Sequence, residues 1–97
     1  MVNINIAHLV GKNPVSYEQA KILYQKLTVS LEHEAVTLDF SDTKVIASPF
    51  FNGSIGLLLK DYSIESLKEK ITFLNLNEHD KKILNIVIHN AIEHYSK

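Results

Sequence analysis

The sequence contains no cysteine and carries almost no net charge. Without cysteine the chain cannot form disulfides or thiolate metal sites, and it has no cysteine nucleophile, which fits a cytoplasmic protein. The formal net charge is −1, so the chain as a whole has no basic character of the kind that binds DNA or RNA. No internal repeat or low-complexity tract is present.

Long apolar runs are also missing. No stretch approaches the roughly 20 apolar residues that span a bilayer. The first ten residues lack a basic segment and a continuous apolar segment, so they do not resemble a signal peptide. We therefore expect a protein that binds neither nucleic acid nor membrane.

What is present is typical of a globular protein. Hydrophobic residues make up 45% of the chain and charged residues 22%, which argues against disorder. A length of 97 residues predicts one domain, residues 1–97, with a modest core.

Alternating apolar residues predict three strands. The first lies at residues 2–6, and the second at 35–40 with a short apolar continuation at 44–47. The third lies at 71–76. The segments between and after the strands have the apolar spacing of helices that pack one side on a core.

Capping residues mark where these helices begin. Ser16, with Gln19 three residues later, has the pattern of a capping box. Ser63 and Asn77 precede a short helix and the last helix. Ser48 is followed by a proline, which suits the first position of a helix, so this serine is predicted to cap a helix that continues to about residue 59.

The resulting order is β-α-β-α-α-β-α. It predicts an α/β fold with a small, mainly parallel or mixed sheet and helices packed on it. The turn at Ser48 would then lie at a carboxyl end of the sheet, where open α/β sheets commonly bind ligands. A homodimer through an edge strand is compatible with so small a sheet.

The strand-to-helix junction offers several candidate site residues with two interpretations each. Ser48 can be a cap or a modified position, where a phosphate would add about −1.5 to −2 charge, and the two are compatible because an unmodified serine can cap and still be the regulated residue. Phe50 and Phe51 are core residues, or a contact patch if one is exposed. Asn52 and the small residues after it, including Ser54, allow close helix packing or leave a shallow surface for a partner.

Two carboxylates flank this junction. Asp39 ends the second strand, and Asp42 follows it in a turn. Together with Asn52 they have the oxygen ligands that Mg²⁺ prefers, but nothing in the sequence fixes their relative positions, so no metal is predicted.

No catalytic or cofactor motif is recognisable. The five histidines include no H-E-x-x-H pair, and no nucleophile is paired with a histidine. We therefore expect a protein without enzymatic activity and without a cofactor. An alternative is a nucleotide or small-ligand binding module that uses the helix N-terminus at Pro49 to Asn52, although no phosphate-binding glycine loop accompanies it.

The stretch "VTLDFSDTKVIASPFFNGSIGLLLKD" resembles a family of small bacterial STAS-like proteins of unknown function. The strand ending "LDF", the helix opening "SPFFN" and the final "NLNEHDKKILNIVIHNAI" carry the resemblance, which covers nearly the whole chain. That family is similar to the sulfate-transporter and anti-sigma-factor-antagonist domain.

The resemblance implies a regulatory role. In anti-sigma-factor antagonists the same junction usually has the sequence Asp-Ser-Ser-Gly, and a partner kinase phosphorylates a serine there. Ser48 occupies the position of that serine. The chain departs from the motif at Ala47, Pro49 and Phe50, which replace the acidic residue, the second serine and the glycine.

The resemblance thus leads us to expect a protein-interaction module that binds a histidine-kinase-like ATPase or a similar partner, switched by phosphorylation at Ser48. The expected contact surface and its supporting residues all lie at the junction: Pro49, Phe50, Phe51, Asn52 and Ser54 in the surface, with Asp39 and Asp42 in support.

Overall fold

A computed structural model describes residues 2–95 of the chain. None of the helices in that range is both long enough and apolar enough to cross a bilayer. The elements follow one another as β1 (Val2–Asn5), α1 (Ile6–Val10), α2 (Tyr17–Ser30), β2 (Val36–Asp39), α3 (Ser48–Asn52), α4 (Ile55–Leu58), α5 (Ile64–Lys70), β3 (Ile71–Leu74) and α6 (Glu78–Tyr95).

The three strands form a parallel sheet in the order β1-β2-β3. Val36 in the central strand lies opposite Val2 on one side and Ile71 on the other. Consecutive parallel strands are joined by right-handed crossovers, so two crossovers that advance in the same direction place their helices on the same face. The predicted α/β fold with a mainly parallel sheet is confirmed.

The two faces of the sheet differ sharply in polarity. Ile4, Val36 and Leu38 point into a core that also contains the apolar side chains of α2, α3 and α6. The opposite face carries the row Asn3, Thr37 and Thr72, of which the two outer residues are exposed. Such one-sided burial is unusual for a parallel sheet, which normally has both faces covered.

Three of the predicted helix caps are confirmed. The Ser16 hydroxyl accepts from the Gln19 N–H at 3.1 Å, and the Gln19 side chain accepts from the Ser16 N–H at 3.0 Å. Ser63 accepts from the N–H three residues ahead at 3.1 Å, and Asn77 does the same at 2.8 Å. Each bond satisfies an N–H that lacks a partner inside its helix.

The first strand is shorter than predicted because Asn5 ends it. The Asn5 side chain accepts from the His8 N–H at 2.9 Å and caps α1, a helix that the alternating pattern did not predict. Ile6 therefore belongs to α1, yet it remains fully buried, as its place in the alternation predicted.

The strand predicted at residues 44–47 is absent. This segment lies outside the sheet and runs along the loop before α2, to which single hydrogen bonds attach it. Val45 is consequently 58% exposed, while Ile46 is buried. Isolated bonds to a loop do not build the repeating ladder that defines a strand.

The helix predicted to run from Ser48 to about residue 59 is broken in two. Gly53 and Ser54 separate α3 from α4. The Ser54 hydroxyl donates to the Phe50 carbonyl at 2.7 Å, and the serine is fully buried at this break. A Cβ on Gly53 would lie 2.8 Å from the Ala20 Cβ, so the glycine lets α3 approach α2 closely.

We predict that Gly53→Ala destabilises the protein by about 1–3 kcal/mol, because the new methyl group overpacks the contact with α2. Chemical denaturation measures the effect. Asn52→Ala, at an exposed position of α3, is the control and should change stability by less than about 0.5 kcal/mol.

A second substitution tests this explanation. Ala20→Gly removes the atom that the new methyl group would meet, so the double variant should be less destabilised than the sum of its two single variants. Simple additivity would show that the cost arises elsewhere, for example from the Tyr17 ring, which has an atom 3.0 Å from the same Cβ position.

Candidate functional site

Two backbone hydrogen bonds hold the strand-to-helix junction against the loop that precedes α2. The Lys44 N–H donates to the Lys12 carbonyl at 2.7 Å. Three residues later, the Ala47 N–H donates to the Pro14 carbonyl at 3.2 Å. These bonds bring residues from two distant parts of the sequence to the start of α3.

Ser48 does not cap α3, and this prediction was wrong. The cap position is taken by Ala47, whose extended backbone has φ −115° and ψ 156°, and no side chain completes the cap. Ser48 is the first helical residue, exposed, and its hydroxyl forms no hydrogen bond within residues 2–95. Its hydroxyl is therefore accessible and has no structural task in this part of the chain.

Phe50 and Phe51 are both fully buried, so neither forms an exposed contact patch. Their ring centroids lie 5.9 Å apart, and that of Phe51 lies 6.1 Å from that of Phe40, the residue after β2. The expectation that the two phenylalanines contact a partner directly is corrected, because the core already surrounds them. Successive helical residues are separated by about 100° around the axis, so this inward pair turns Ser48 and Asn52 outward.

Ser54 is also removed from the predicted contact surface. It is fully buried and bonded to the Phe50 carbonyl. Gly53 and Gly56 pack closely, since a Cβ on Gly56 would lie 3.1 Å from a Val87 methyl group. Of the two interpretations of these small residues, close packing is the one the structure supports.

Three exposed residues near α3 were not predicted as site residues. Val15, Tyr17 and Val45 are 38%, 62% and 58% exposed. We call Val15, Tyr17, Val45, Ser48 and Asn52 the junction surface. Val45 was predicted as part of a strand. It lies at the surface because its segment, 44–47, is attached to the loop before α2 and not to the sheet.

A groove continues the junction surface towards the end of α6. Tyr17 and Asn52 line it on one side, and His94 and Tyr95 line it on the other. Gly53 and Gly56 also line the groove. The groove combines aromatic rings with amide and imidazole groups.

Asp39 lies at the carboxyl end of β2 and is held by two hydrogen bonds. One of its carboxylate oxygens accepts from the Asn75 side chain at 2.9 Å and from the Ser41 N–H at 2.9 Å. Both bonds stabilise the ionised carboxylate and hold the pKa of Asp39 below its ordinary value. The bond from Asn75 is the largest cause, and the bond from the Ser41 N–H is the next. Asn75, which sequence reasoning missed, has φ 61°, a conformation that asparagine tolerates better than most residues.

The structure separates the two carboxylates and Asn52. Asp39 is bonded to Ser41 and Asn75, whereas Asp42 lines a shallow depression that also includes Lys12 and Lys44. Asn52 lines the groove at the junction surface. Within residues 2–95 no three acidic or histidine side chains converge in a way that would hold a metal ion.

The start of α3 offers little to an anionic ligand. The helix has only five residues, and Pro49, its second residue, has no N–H. The Phe50 N–H already donates to the Ala47 carbonyl at 3.1 Å. This arrangement weighs against the alternative of a nucleotide site at Pro49 to Asn52.

Comparison with known proteins adds one match. The sequence model of a family described as "STAS-like domain of unknown function" matches residues 19–81, which is more than half of the chain. No curated protein and no solved structure matches.

Because Ser48 caps nothing, we predict that Ser48→Ala changes the free energy of unfolding by less than about 0.5 kcal/mol. Ser16→Ala and Ser63→Ala, which remove caps seen in the structure, should each cost about 1 kcal/mol. Urea denaturation of the three variants provides the comparison. A loss at Ser48 equal to that at Ser16 would contradict the assigned start of α3.

A second prediction concerns acid stability. The pKa of Asp39 is lower in the folded protein than in the unfolded chain, so ionised Asp39 stabilises the fold above the unfolded pKa. That stabilisation is lost as the pH falls through the folded pKa. Asn75→Gly keeps the backbone conformation accessible but removes the principal bond, so it should raise the pKa of Asp39 in an NMR titration of its carboxyl carbon.

The same variant should lose less stability than the wild type between neutral pH and roughly pH 3. Asp42→Asn removes a nearby carboxylate without touching the bond between Asp39 and Asn75, so it is the control. An unchanged pKa of Asp39 in Asn75→Gly would show that the side-chain bond does not determine it.

Proposed function

Because the chain belongs to the family of STAS-like domains of unknown function, we propose that it is a cytoplasmic, non-enzymatic regulatory module that binds a protein partner through the junction surface. The single observation that carries this proposal is Ser48, an exposed serine without a structural bond, at a junction where backbone bonds bring together two segments with exposed apolar side chains. The partner implied by the resemblance to anti-sigma-factor antagonists is a histidine-kinase-like ATPase.

The composition of the junction surface supports protein binding. Val45 and Tyr17 are each more than half exposed, and Val15 adds a third apolar group. Contiguous exposed apolar groups mark contact sites, and tyrosine is enriched at the centre of protein interfaces. Asn52 supplies amide hydrogen-bonding groups at the edge of this patch.

Phosphorylation of Ser48 would switch this surface. The hydroxyl is accessible and unbonded, so its modification breaks no internal interaction among the described residues. A phosphate adds about −1.5 to −2 charge at pH 7, and within an apolar contact such a charge disrupts binding by its desolvation cost. The unmodified form therefore binds, and the modified form is released.

The contact residues we propose differ from those predicted from the sequence. Ser48, Asn52 and the half-buried Pro49 remain at the surface. Phe50 and Phe51 act only indirectly, by holding α3 in the orientation that exposes the other three. Asp39 and Asp42 make no hydrogen bond to Ser48 in the structure, so their supporting role is confined to the loop that leads to α3.

The proposal is tested by affinity capture from the source cell with four forms of the protein: wild type, Ser48→Ala, Ser48→Asp and Val45→Lys. We expect a histidine-kinase-like ATPase with wild type and Ser48→Ala, and at least a tenfold loss with the two charged variants. The intact mass of the recovered wild type should include a form with one phosphate, absent from Ser48→Ala.

Matched controls separate the surface from general charge effects. Val29→Lys is the control for Val45→Lys and places the same positive charge on a valine of α2 that is 64% exposed. Ser66→Asp is the control for Ser48→Asp and places the same negative charge on α5. Both should retain the partner. Equal retention by all variants would place the contact elsewhere, and an unmodified wild type in every condition would remove the switch.

A further inference from the structure

A second candidate site lies on residues that the junction surface does not use. An apolar cavity of about 340 Å³ opens between α5, β3 and α6, with one wall from α4. Leu67, Ile71 and Leu84 line its interior and are almost fully buried. Eight of its eleven lining residues are apolar, so water in this cavity finds few hydrogen-bond partners.

The polar groups of the cavity are confined to three side chains, and two are cationic. Lys68 on α5 and Lys81 on α6 line the opening together with Asn85, and no carboxylate is among the lining residues. Within residues 2–95, Lys68 forms no ion pair, while Lys81 lies 3.4 Å from Glu78 in an exposed pair. Exposed pairs of this kind contribute little, so Lys81 is free to turn towards a ligand.

We propose that this cavity binds a single-chain amphiphile, an aliphatic chain of medium length with an anionic head group. The chain would displace water from the apolar interior, which is favourable in proportion to the apolar area removed from water. The carboxylate or phosphate head group would remain at the opening, where Lys68, Lys81 and Asn85 supply positive charge and hydrogen-bond donors.

The size of the cavity favours a small molecule over a protein segment. Ligand sites are typically concave, mostly apolar and of roughly 300–1,000 Å³, and this cavity falls at the lower end of that range. A stable protein interface needs about 20–30 residues on each side, against the eleven that line this site. The modest volume selects a medium chain rather than a long one.

Isothermal titration calorimetry and NMR chemical-shift mapping of the full chain test the proposal with decanoate, decyl phosphate and decanol. We expect saturable one-to-one binding of at least one anionic probe, with shifts confined to the elements that line the cavity, α4, α5, β3 and α6. The stronger of decanoate and decyl phosphate identifies the head group. Decanol should bind at least tenfold more weakly.

Substitutions distinguish the head-group contacts from the cavity itself. The double variant Lys68→Gln, Lys81→Gln should lower the affinity for the anionic probe at least tenfold and leave the affinity for decanol unchanged. The charge-matched control is Lys60→Gln with Lys82→Gln, at exposed lysines that do not line the cavity.

Filling the cavity should abolish binding of all probes. Ile88→Trp introduces a larger side chain at a half-buried lining residue. Ile86→Trp is the matched control, at a residue of the same helix that is 61% exposed and does not line the cavity, so it should leave binding unchanged. Binding that survives Ile88→Trp, shifts spread over the whole surface, or decanol binding equal to that of the anions would each overturn the proposal. The test does not involve Ser48, so its outcome is independent of the proposed regulatory function.

Discussion

The burial of Phe50 and Phe51 is the interaction on which the junction depends. A helix of five residues is not stable on its own, because nucleation of a helix is costly. Here two aromatic side chains in adjacent positions anchor it, one of them against Phe40, the residue after β2. The same anchoring fixes the rotation of α3 and thereby decides which of its residues face solvent.

The two candidate sites use opposite sides of one short element. Ile55 of α4 lines the apolar cavity, whereas Gly56 and Leu57 line the groove beside the junction surface. Gly56 also sits against α6, which contributes residues to both sites. The protein thus arranges two chemically different surfaces, one apolar with cationic groups and one that carries a free hydroxyl, around α4 and α6.

Local patterns predicted the regular elements well. The caps at Ser16, Ser63 and Asn77 and the apolar alternation of the strands depend on neighbours in sequence, and the structure confirms them. The capping bond of Asn5 is equally local, but the apolar alternation that continues to Ile6 concealed it.

Tertiary contacts account for the features that were missed. The segment at 44–47 is a short apolar run, and its sequence is compatible with a strand. Only its hydrogen bonds to Lys12 and Pro14 show that it lies along a loop instead. The same attachment involves the α3 cap, which was predicted at Ser48 and lies at Ala47. The Ala47 N–H donates to the Pro14 carbonyl of that loop. The bond between Asp39 and Asn75 joins the last residue of β2 to the residue that follows β3, and it has no sequence signature.

The parallel sheet also constrains how the chain reaches this structure. Every strand pair joins residues about 35 positions apart, because each crossover includes all the helices between two strands. No part of the sheet can form from a local hairpin, so loop-closure entropy must be overcome before the first ladder is complete. Helices such as α2, with its capping box, can form first from local contacts. Folding of this small protein should therefore be slow for its size, with the sheet closing late around helices already present.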